Sequence, residues 1–433
     1  MATFDTTVPQ APPWVARPRR KVPTDGFRFA QAVLFVFTAA AVDVFNVLDR
    51  GGSKRYAILV IPIGVVALIR LRHPSPIVHR PRATDKALFV IWVMGMVGSL
   101  YGVFLKGGNT TARPLFFPMT LGFLYLFVLE PPTDDESGRL LRYITYVGAV
   151  YVGLAALINI GVVPHLAAYK QFRNAQFAYV MIGIGGAIIM RRRGLLAALL
   201  ALEAVNFAAY PSATSVLCTL AMLITFFMTK PYGSRARPYV VAIVAAAIVF
   251  VGLMNISRVS TVTGDYFSAV GKTNANYGRL AIWTDGIHQW QQSPFVGQVF
   301  TGGTVAQTIR ARNGQPLQLP FHNDYVLFLA EGGLVGLIVL ISFIVGIDFI
   351  LVRRYRDFVE QGRLDRAKLL RLLLVGFNSF FFTASFNPVM EGLSRSMVIF
   401  SMYGLAMLVC SPDREAAGVE DPAGRPEPAA PLP

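Results

Sequence analysis

The chain has 433 residues, of which 54% are hydrophobic and only 15% are charged. A soluble domain of this size needs a more polar surface than this composition provides, so the chain is predicted to be an integral membrane protein. The net charge of +16 fits a membrane protein with basic inner loops and does not require a nucleic-acid partner.

Apolar stretches long enough to cross about 30 Å of hydrocarbon as helices recur along almost the whole chain. Twelve can be counted, which predicts an all-α integral membrane protein with about 12 transmembrane helices. The predicted segments are 29–48, 56–71, 87–105, 114–129, 141–163, 177–190, 195–209, 212–229, 239–257, 325–352, 369–385 and 394–410.

Lysine and arginine are concentrated in alternate connections, beginning with the basic N-terminal segment 1–28. Because these residues are retained preferentially in cytoplasmic loops, both termini are predicted to be cytoplasmic. The same basic loops would attract anionic membrane lipids. Segment 411–433, rich in Pro, Ala and Glu, is predicted to be a disordered cytoplasmic tail.

A connection of 64 residues, 258–321, separates nine helices in 29–257 from three helices in 322–410. It is too long for a passive connector, and the charge pattern places it on the outer, periplasmic side. Within it, "TNANYGRLAIWTDGIHQWQQSPFVGQ" predicts an amphipathic helix near the outer membrane surface, bounded by Pro294. The predicted apolar side carries Leu280, Ile282, Trp283 and Ile287.

The first candidate for chemistry is His322, which stands at the start of the tenth predicted helix in "PFHNDYVLFLAEGGLVGLIVLI". A helix start carries positive potential suited to an anion, and a neutral imidazole there could take a proton from a hydroxyl group. The structural alternative is a residue that only bonds to local backbone, with Asn323 or Asp324 as the helix cap.

Glu331 lies nine residues further along the same predicted helix. It would sit about 13 Å deeper than His322 and on the opposite side, so the two cannot act on one atom. An ionisable group at that depth needs a partner, and an ion pair or hydrogen bond is predicted. Gly332 and Gly336 form a small-residue spacing that predicts close approach of another helix.

Arginines on the outer side are the second kind of candidate. Arg279 begins the amphipathic stretch and Arg173 precedes the sixth predicted helix, and each could hold a phosphate through its planar, permanently charged fork. The alternative for either is an interfacial arginine that reaches lipid headgroups. Weaker candidates of the same kind are Arg258, Lys170, Arg310, Arg312 and Arg395. No carboxylate spacing suggests a metal site, so none is predicted.

Two stretches together resemble a known family. "FHNDYVLFLAEGGLVGLIVLI" is similar to the hallmark segment of the O-antigen ligase and O-antigen polymerase superfamily, which has His-Asn, a nearby Tyr, then Ala-Glu and two glycines entering a helix. "YGRLAIWTDGIHQWQQSPFVGQ" resembles the stretch that precedes it in that family, where Gly-Arg and an aromatic residue are followed by Pro and Gly. The helix count and the long late loop agree with the resemblance.

The resemblance implies a membrane-embedded glycosyltransferase of the C type in the bacterial inner membrane. Such enzymes take a glycan from a polyprenyl diphosphate carrier on the outer leaflet without a cofactor. They attach it to lipid A core, as ligases, or to another carrier-bound glycan, as polymerases. A polymerase would add a chain-length regulator as a partner.

Carried over by position, the resemblance implies that His322 is the catalytic histidine and that Arg279 and Arg173 bind the diphosphate. The supporting residues would be Asn323, Tyr325 and Glu331. At 174–176 the chain has Asn-Ala-Gln where the family usually has Asn-Pro-Asn. That departure and the modest outer loop favour a polysaccharide polymerase over a ligase.

A transporter or flippase for a lipid-linked or anionic substrate is the alternative from another class. Twelve helices with both termini inside is also a common transporter plan, and Asp43, Glu203 and Glu331 are intramembrane acids that it would use. Transporters place such groups near the midplane on broken helices, whereas the polar candidates here cluster at the outer mouth.

Overall fold

The structure, a computed structural model, describes residues 23–41, 57–72, 81–105, 116–162, 177–209, 213–229, 275–301, 321, 323–385, 389–390 and 393–411. Over these ranges the chain is helical and contains no strand. The helices are α1 (Asp25–Ala41), α2 (Val60–Arg72), α3 (Ala83–Leu105), α4 (Phe116–Phe123), α5 (Asp134–Asn159), α6 (Phe177–Ile189), α7 (Arg193–Ala209), α8 (Ala213–Met228), α9 (Ala275–Gln292), α10 (Asp324–Glu360), α11 (Leu364–Ala384) and α12 (Leu393–Val409), and a 3-10 turn at Leu124–Phe127 continues α4.

The predicted all-α class is confirmed. Eleven of the twelve predicted segments contain a helix within their described residues, and the ninth, 239–257, lies outside the described residues. By length and composition, four helices of the described ranges could cross a membrane, at Ala83–Gly102, Asp134–Asn159, Asp324–Glu360 and Leu364–Ala384. The chain is therefore a membrane-embedded helical protein, and the count of about 12 spans stays a prediction.

The start of α5 differs from its prediction. The predicted segment begins at residue 141, but the helix begins at Asp134 because Thr133 and Glu136 form a capping box. The Glu136 carboxylate also accepts from the Thr24 nitrogen at 3.0 Å and the Thr24 hydroxyl at 2.7 Å, where α1 begins. The charged first turn of α5 therefore caps this helix and connects it to the start of α1. A hydrophobicity criterion does not detect such a turn.

Helix α11 lies at the centre of the described bundle, since residues 372–381 are all buried. On one side it packs against α5 and α6, where Tyr179 stacks on Tyr151 with ring centroids 4.9 Å apart. Tyr179 also meets Phe380 of α11 edge to face at 5.4 Å. On another side α11 packs against α10, so the central helix holds the helix that carries the candidate site.

Candidate functional site

The N-terminus of α10 is fixed by Asn323. Its side-chain oxygen accepts from the backbone nitrogens of Tyr325 at 2.9 Å and Val326 at 3.1 Å, and its backbone is extended. These are the bonds of an N-cap residue. Of the two predicted cap candidates, Asn323 is therefore the one that caps the helix.

Removal of this cap gives a first expected result. Asn323→Ala should lower the free energy of unfolding by about 1 kcal/mol, because two amides at the start of α10 lose their acceptor. Thermal unfolding in detergent measures the change. Asn323→Ser keeps a capping oxygen and should recover most of the loss; equal destabilisation by both variants would contradict the capping role.

The two residues after the cap tie α10 to the last two helices. The Asp324 carboxylate, which is buried, accepts from the Met390 nitrogen at 2.8 Å between α11 and α12. The Tyr325 hydroxyl donates to the Phe381 carbonyl oxygen of α11 at 3.1 Å. Sequence reasoning missed this role of Asp324, because its partner is 66 residues away.

Helix α9 packs directly against the start of α10. Gly286 lies so close to Val326 that a Cβ there would collide with the valine side chain, and it would also come 3.2 Å from the Phe321 ring. Ile282 is buried in a small cluster with Phe321, Leu327 and Ala330, and Trp283 packs on it.

The helix predicted before Pro294 is confirmed, since α9 ends at Gln292, but its apolar side is partly different. Ile287 is 40% exposed, whereas Gly286 faces α10. The close contact needs a residue without a side chain, which a hydrophobicity pattern does not count as apolar.

The structure brings together the segments that carry two of the predicted site residues. Arg279 is on α9, three residues before Ile282 and seven before Gly286, and therefore on the face of α9 that meets α10. His322 lies outside the described residues, but both its chain neighbours are fixed: Phe321 is buried and Asn323 caps α10. Arg173 also lies outside the described residues.

Deeper along α10 the helix is broken at Gly333, whose φ of 62° and ψ of −163° are not helical. This backbone conformation is accessible essentially to glycine alone. In a continuous helix, the nitrogens of Leu334 and Val335 would bond to the carbonyl oxygens of Ala330 and Glu331.

Residues 293–301, which follow α9 and are here called the interlock, occupy the break. The two nitrogens and two carbonyl oxygens that a continuous helix would pair are each bonded to the interlock backbone instead. The four bonds are Gln298 N to Ala330 O at 3.1 Å, Phe300 N to Glu331 O at 3.1 Å, Leu334 N to Pro294 O at 2.8 Å and Val335 N to Phe295 O at 3.1 Å. The interruption therefore leaves these backbone groups satisfied, as a protein interior requires.

Gly332 and Gly336, the predicted small-residue pair, both face the interlock. A Cβ on Gly332 would come 2.9 Å from the Phe300 ring, and one on Gly336 would come 3.8 Å from it. Their neighbour is a non-helical segment, so the expected close helix approach is wrong at this point. Helical periodicity gave no sign that the backbone is interrupted between the two glycines.

Glu331 lies immediately before the break. Its side chain is fully buried, and its carbonyl oxygen is one of the groups bonded to the interlock. The residues from Asp324 to Glu331 form a regular helix, and the expected separation of Glu331 from His322 stays a prediction because His322 lies outside the described residues. The predicted partner of the Glu331 carboxylate stays a prediction.

Gly333 supplies a second expected result. Gly333→Ala should destabilise the protein by about 1 to 3 kcal/mol from backbone strain alone, with a further loss because the new Cβ would collide with Phe295. Gly153→Ala on α5 is the matched control, since a Cβ there meets nothing within 4 Å and alanine favours a helix. Comparable thermal destabilisation of both variants would contradict this reading of the break.

Acidic residues of the predicted spans include one that sequence reasoning missed. Glu203 accepts from the Asn206 amide at 3.3 Å, and Asp43 lies outside the described residues. Asp348 on α10 was missed, although it stands visibly in the apolar run "IVGIDFILV". With its nitrogen turned toward α10, the Asn378 amide donates to the Asp348 carboxylate at 3.0 and 3.2 Å.

In a comparison with protein-family models, residues 171–341 match the O-antigen ligase family. The matched stretch includes positions 173, 279 and 322, the interlock and the broken part of α10. It confirms the resemblance to the O-antigen ligase superfamily that the two motifs indicated. A search of curated proteins found no match.

Proposed function

Residues 171–341 match the O-antigen ligase family, and from this premise we propose that the protein transfers a glycan from a polyprenyl diphosphate carrier to a sugar hydroxyl. The observation that carries the proposal is that the matched stretch contains both packed segments of the candidate site. Helix α9 places the backbone of Arg279 on the face that meets the start of α10, and His322 directly precedes the Asn323 cap.

In this proposal His322 is the catalytic residue, and Arg279 and Arg173 hold the diphosphate. The acceptor hydroxyl oxygen attacks the anomeric carbon as His322 takes its proton. The bond from that carbon to the diphosphate oxygen breaks, and the polyprenyl diphosphate leaves with the bonding electrons. Two guanidinium groups neutralise the charge that develops on the leaving group, so the transfer proceeds without a metal ion.

Asn323 and Tyr325 act in this scheme as positioning residues. Asn323 directly follows His322 and caps α10, and Tyr325 anchors the first turn of α10 to Phe381 of α11. Glu331 supports the site further along α10, because its backbone carbonyl oxygen accepts a hydrogen bond from the interlock at the break. These contacts support the proposal by fixing the backbone that follows position 322.

The donor and acceptor are proposed by chemical class. A lipid-linked glycan in the outer leaflet of the inner membrane is the donor, and a second carrier-bound glycan is favoured over lipid A core as acceptor. The Asn-Ala-Gln sequence at 174–176 supports the polymerase choice, since it departs from the pattern expected of the family. A polymerase would work beside a chain-length regulator.

A broken helix is also a feature of transporters, which use the free backbone groups of the break to bind substrate or ions. In α10 the four backbone groups at the break are bonded to the interlock. The break therefore does not leave these four groups free for a transported ion, which weighs against a transport function at this point.

The test of the proposal is the anomeric configuration of the product. Purified protein in detergent micelles, given a lipid-linked glycan of known configuration and an acceptor glycan, should form a new bond of inverted configuration. Inversion follows because the acceptor attacks from the face opposite the diphosphate. Nuclear magnetic resonance of the isolated product reads the configuration; retention, or absence of product from folded protein, would contradict the mechanism.

A further inference from the structure

We propose that the interlock is a positioning element for glycan transfer, and that Phe300 is the residue that seats it. The interlock would fix the position of α9 along the axis of α10, and this position would set the separation between Arg279 and His322. The expected effect on kcat rests on the proposed function. The effect on this separation can be measured without any transfer activity.

The interlock is attached firmly to the end of α9. The Ser293 nitrogen donates to the Trp290 carbonyl oxygen at 3.0 Å, and the Trp290 indole nitrogen donates to the Pro294 carbonyl oxygen at 2.9 Å. The Gly297 nitrogen donates to the Ser293 carbonyl oxygen at 2.9 Å. Movement of the interlock would therefore be passed directly to α9.

The interlock and the candidate site lie at opposite ends of one helix pair. Gly286 faces Val326, and the Pro294 carbonyl oxygen accepts from Leu334. The two contacts are eight residues apart on both segments, from 286 to 294 and from 326 to 334. Helix α9 and the first part of α10 therefore run side by side in the same direction. Arg279 lies toward the N-terminal end of this pair, on α9, and α10 begins two residues after His322.

The conformation of the interlock is costly and must be held by its surroundings. Val299 and Phe300 both have positive φ, at 54° and 53°, which is uncommon for residues with large or branched side chains. Such strain persists only where neighbouring structure determines it. Gly98 of α3 contributes, because α3 lies against the Val299 carbonyl group too closely for a side chain.

The Phe300 ring anchors the interlock in the hydrophobic core. It is fully buried and meets Phe116 of α4 edge to face at 5.4 Å and Phe328 of α10 at 5.3 Å. Gly332 leaves the space that the ring fills. Loss of the ring would remove the contact that sets how far α9 reaches along α10.

The experiment compares Phe300→Ala with Phe343→Ala. Phe343 is the matched control, because it is an equally buried phenylalanine of α10 that packs on the Tyr403 ring at 5.1 Å, away from the break. Both variants lose a buried ring and should lose similar thermal stability. Phe300→Ala should lower kcat by about a hundredfold, the effect of misplacing reacting groups by about 1 Å, while Phe343→Ala retains kcat.

Two further readouts separate positioning from a merely structural role. The donor KM should change far less than kcat, and Phe300→Met, which refills the space, should restore most of kcat. In addition, cysteines placed at 279 and 322, in a background without Cys218 and Cys410, should be joined efficiently by a short bifunctional thiol reagent. The yield should fall with Phe300→Ala but not with Phe343→Ala.

The outcomes distinguish this inference from the proposed function. If the wild-type protein forms no glycosidic bond but the cross-link falls selectively with Phe300→Ala, the proposed function fails, whereas the role of the interlock in setting the separation of positions 279 and 322 stands. If the cross-link yield is equal in both alanine variants, the positioning role is overturned whatever the wild-type activity. If the wild-type protein is active and the kcat values of both variants fall equally, the positioning role is overturned as well.

Discussion

His322→Ala should lower kcat for glycan transfer by about 10²- to 10⁴-fold, which is the usual contribution of a positioned general base. The acceptor hydroxyl would then have to attack without a group that takes its proton. The loss should appear at saturating donor and acceptor, because His322 is assigned to the chemical step and not to donor binding. A discontinuous glycan-transfer assay in detergent measures it.

The matched control for this variant is His288→Ala. His288 is exposed on α9, and its ring nitrogen lies 3.1 Å from the Gln291 side-chain oxygen. The substitution removes an imidazole from the adjacent helix without touching the face that meets α10, so it should retain wild-type kcat. Full activity of folded His322→Ala would remove the catalytic assignment.

Arg279→Ala should cost about 2 to 4 kcal/mol of transition-state stabilisation, as loss of one preorganised charge-stabilising donor does. This corresponds to a fall of about thirtyfold to a thousandfold in kcat/KM for the donor. Arg279→Lys keeps the charge but loses the planar fork, so it should recover only part of the loss. Arg173→Ala should behave in the same way as Arg279→Ala.

A matched arginine control is available at the other end of α10. Arg354 pairs with Asp357 at 3.3 Å on the half-exposed last turns of the helix. Arg354→Ala removes one positive charge from the protein and should leave the donor kcat/KM unchanged. Equal losses from Arg279→Ala and Arg354→Ala would mean that net charge, and not a grip on the diphosphate, explains the effect.

Hydrophobicity and charge were sufficient to predict the helical class and the position of most helices. They failed where a helix begins or ends in charged residues: α5 begins seven residues early at Asp134, and α10 continues to Glu360, eight residues beyond the predicted end. Both extensions are polar turns that a search for apolar spans excludes. Capping at Thr133 and Glu136 was readable from local sequence, whereas the full length of α10 was not.

The site was predictable in its parts but not in its assembly. The motif around Arg279 and the motif around His322 were both recognised, and the family match includes both. Their joining through the interlock depends on hydrogen bonds between backbone groups more than 30 residues apart. Side-chain periodicity does not report such bonds, so the glycines around Gly333 suggested a helix seam where the backbone is interrupted.

The most direct test of glycan transfer at this site measures the two products together in detergent micelles, where no gradient can exist. We expect released polyprenyl diphosphate and new glycosidic bonds in equal amounts, without ATP, and loss of both products with His322→Ala. A folded wild-type protein that forms neither product in micelles, but moves the intact lipid-linked donor across a liposome membrane, would contradict the enzyme assignment and support a flippase.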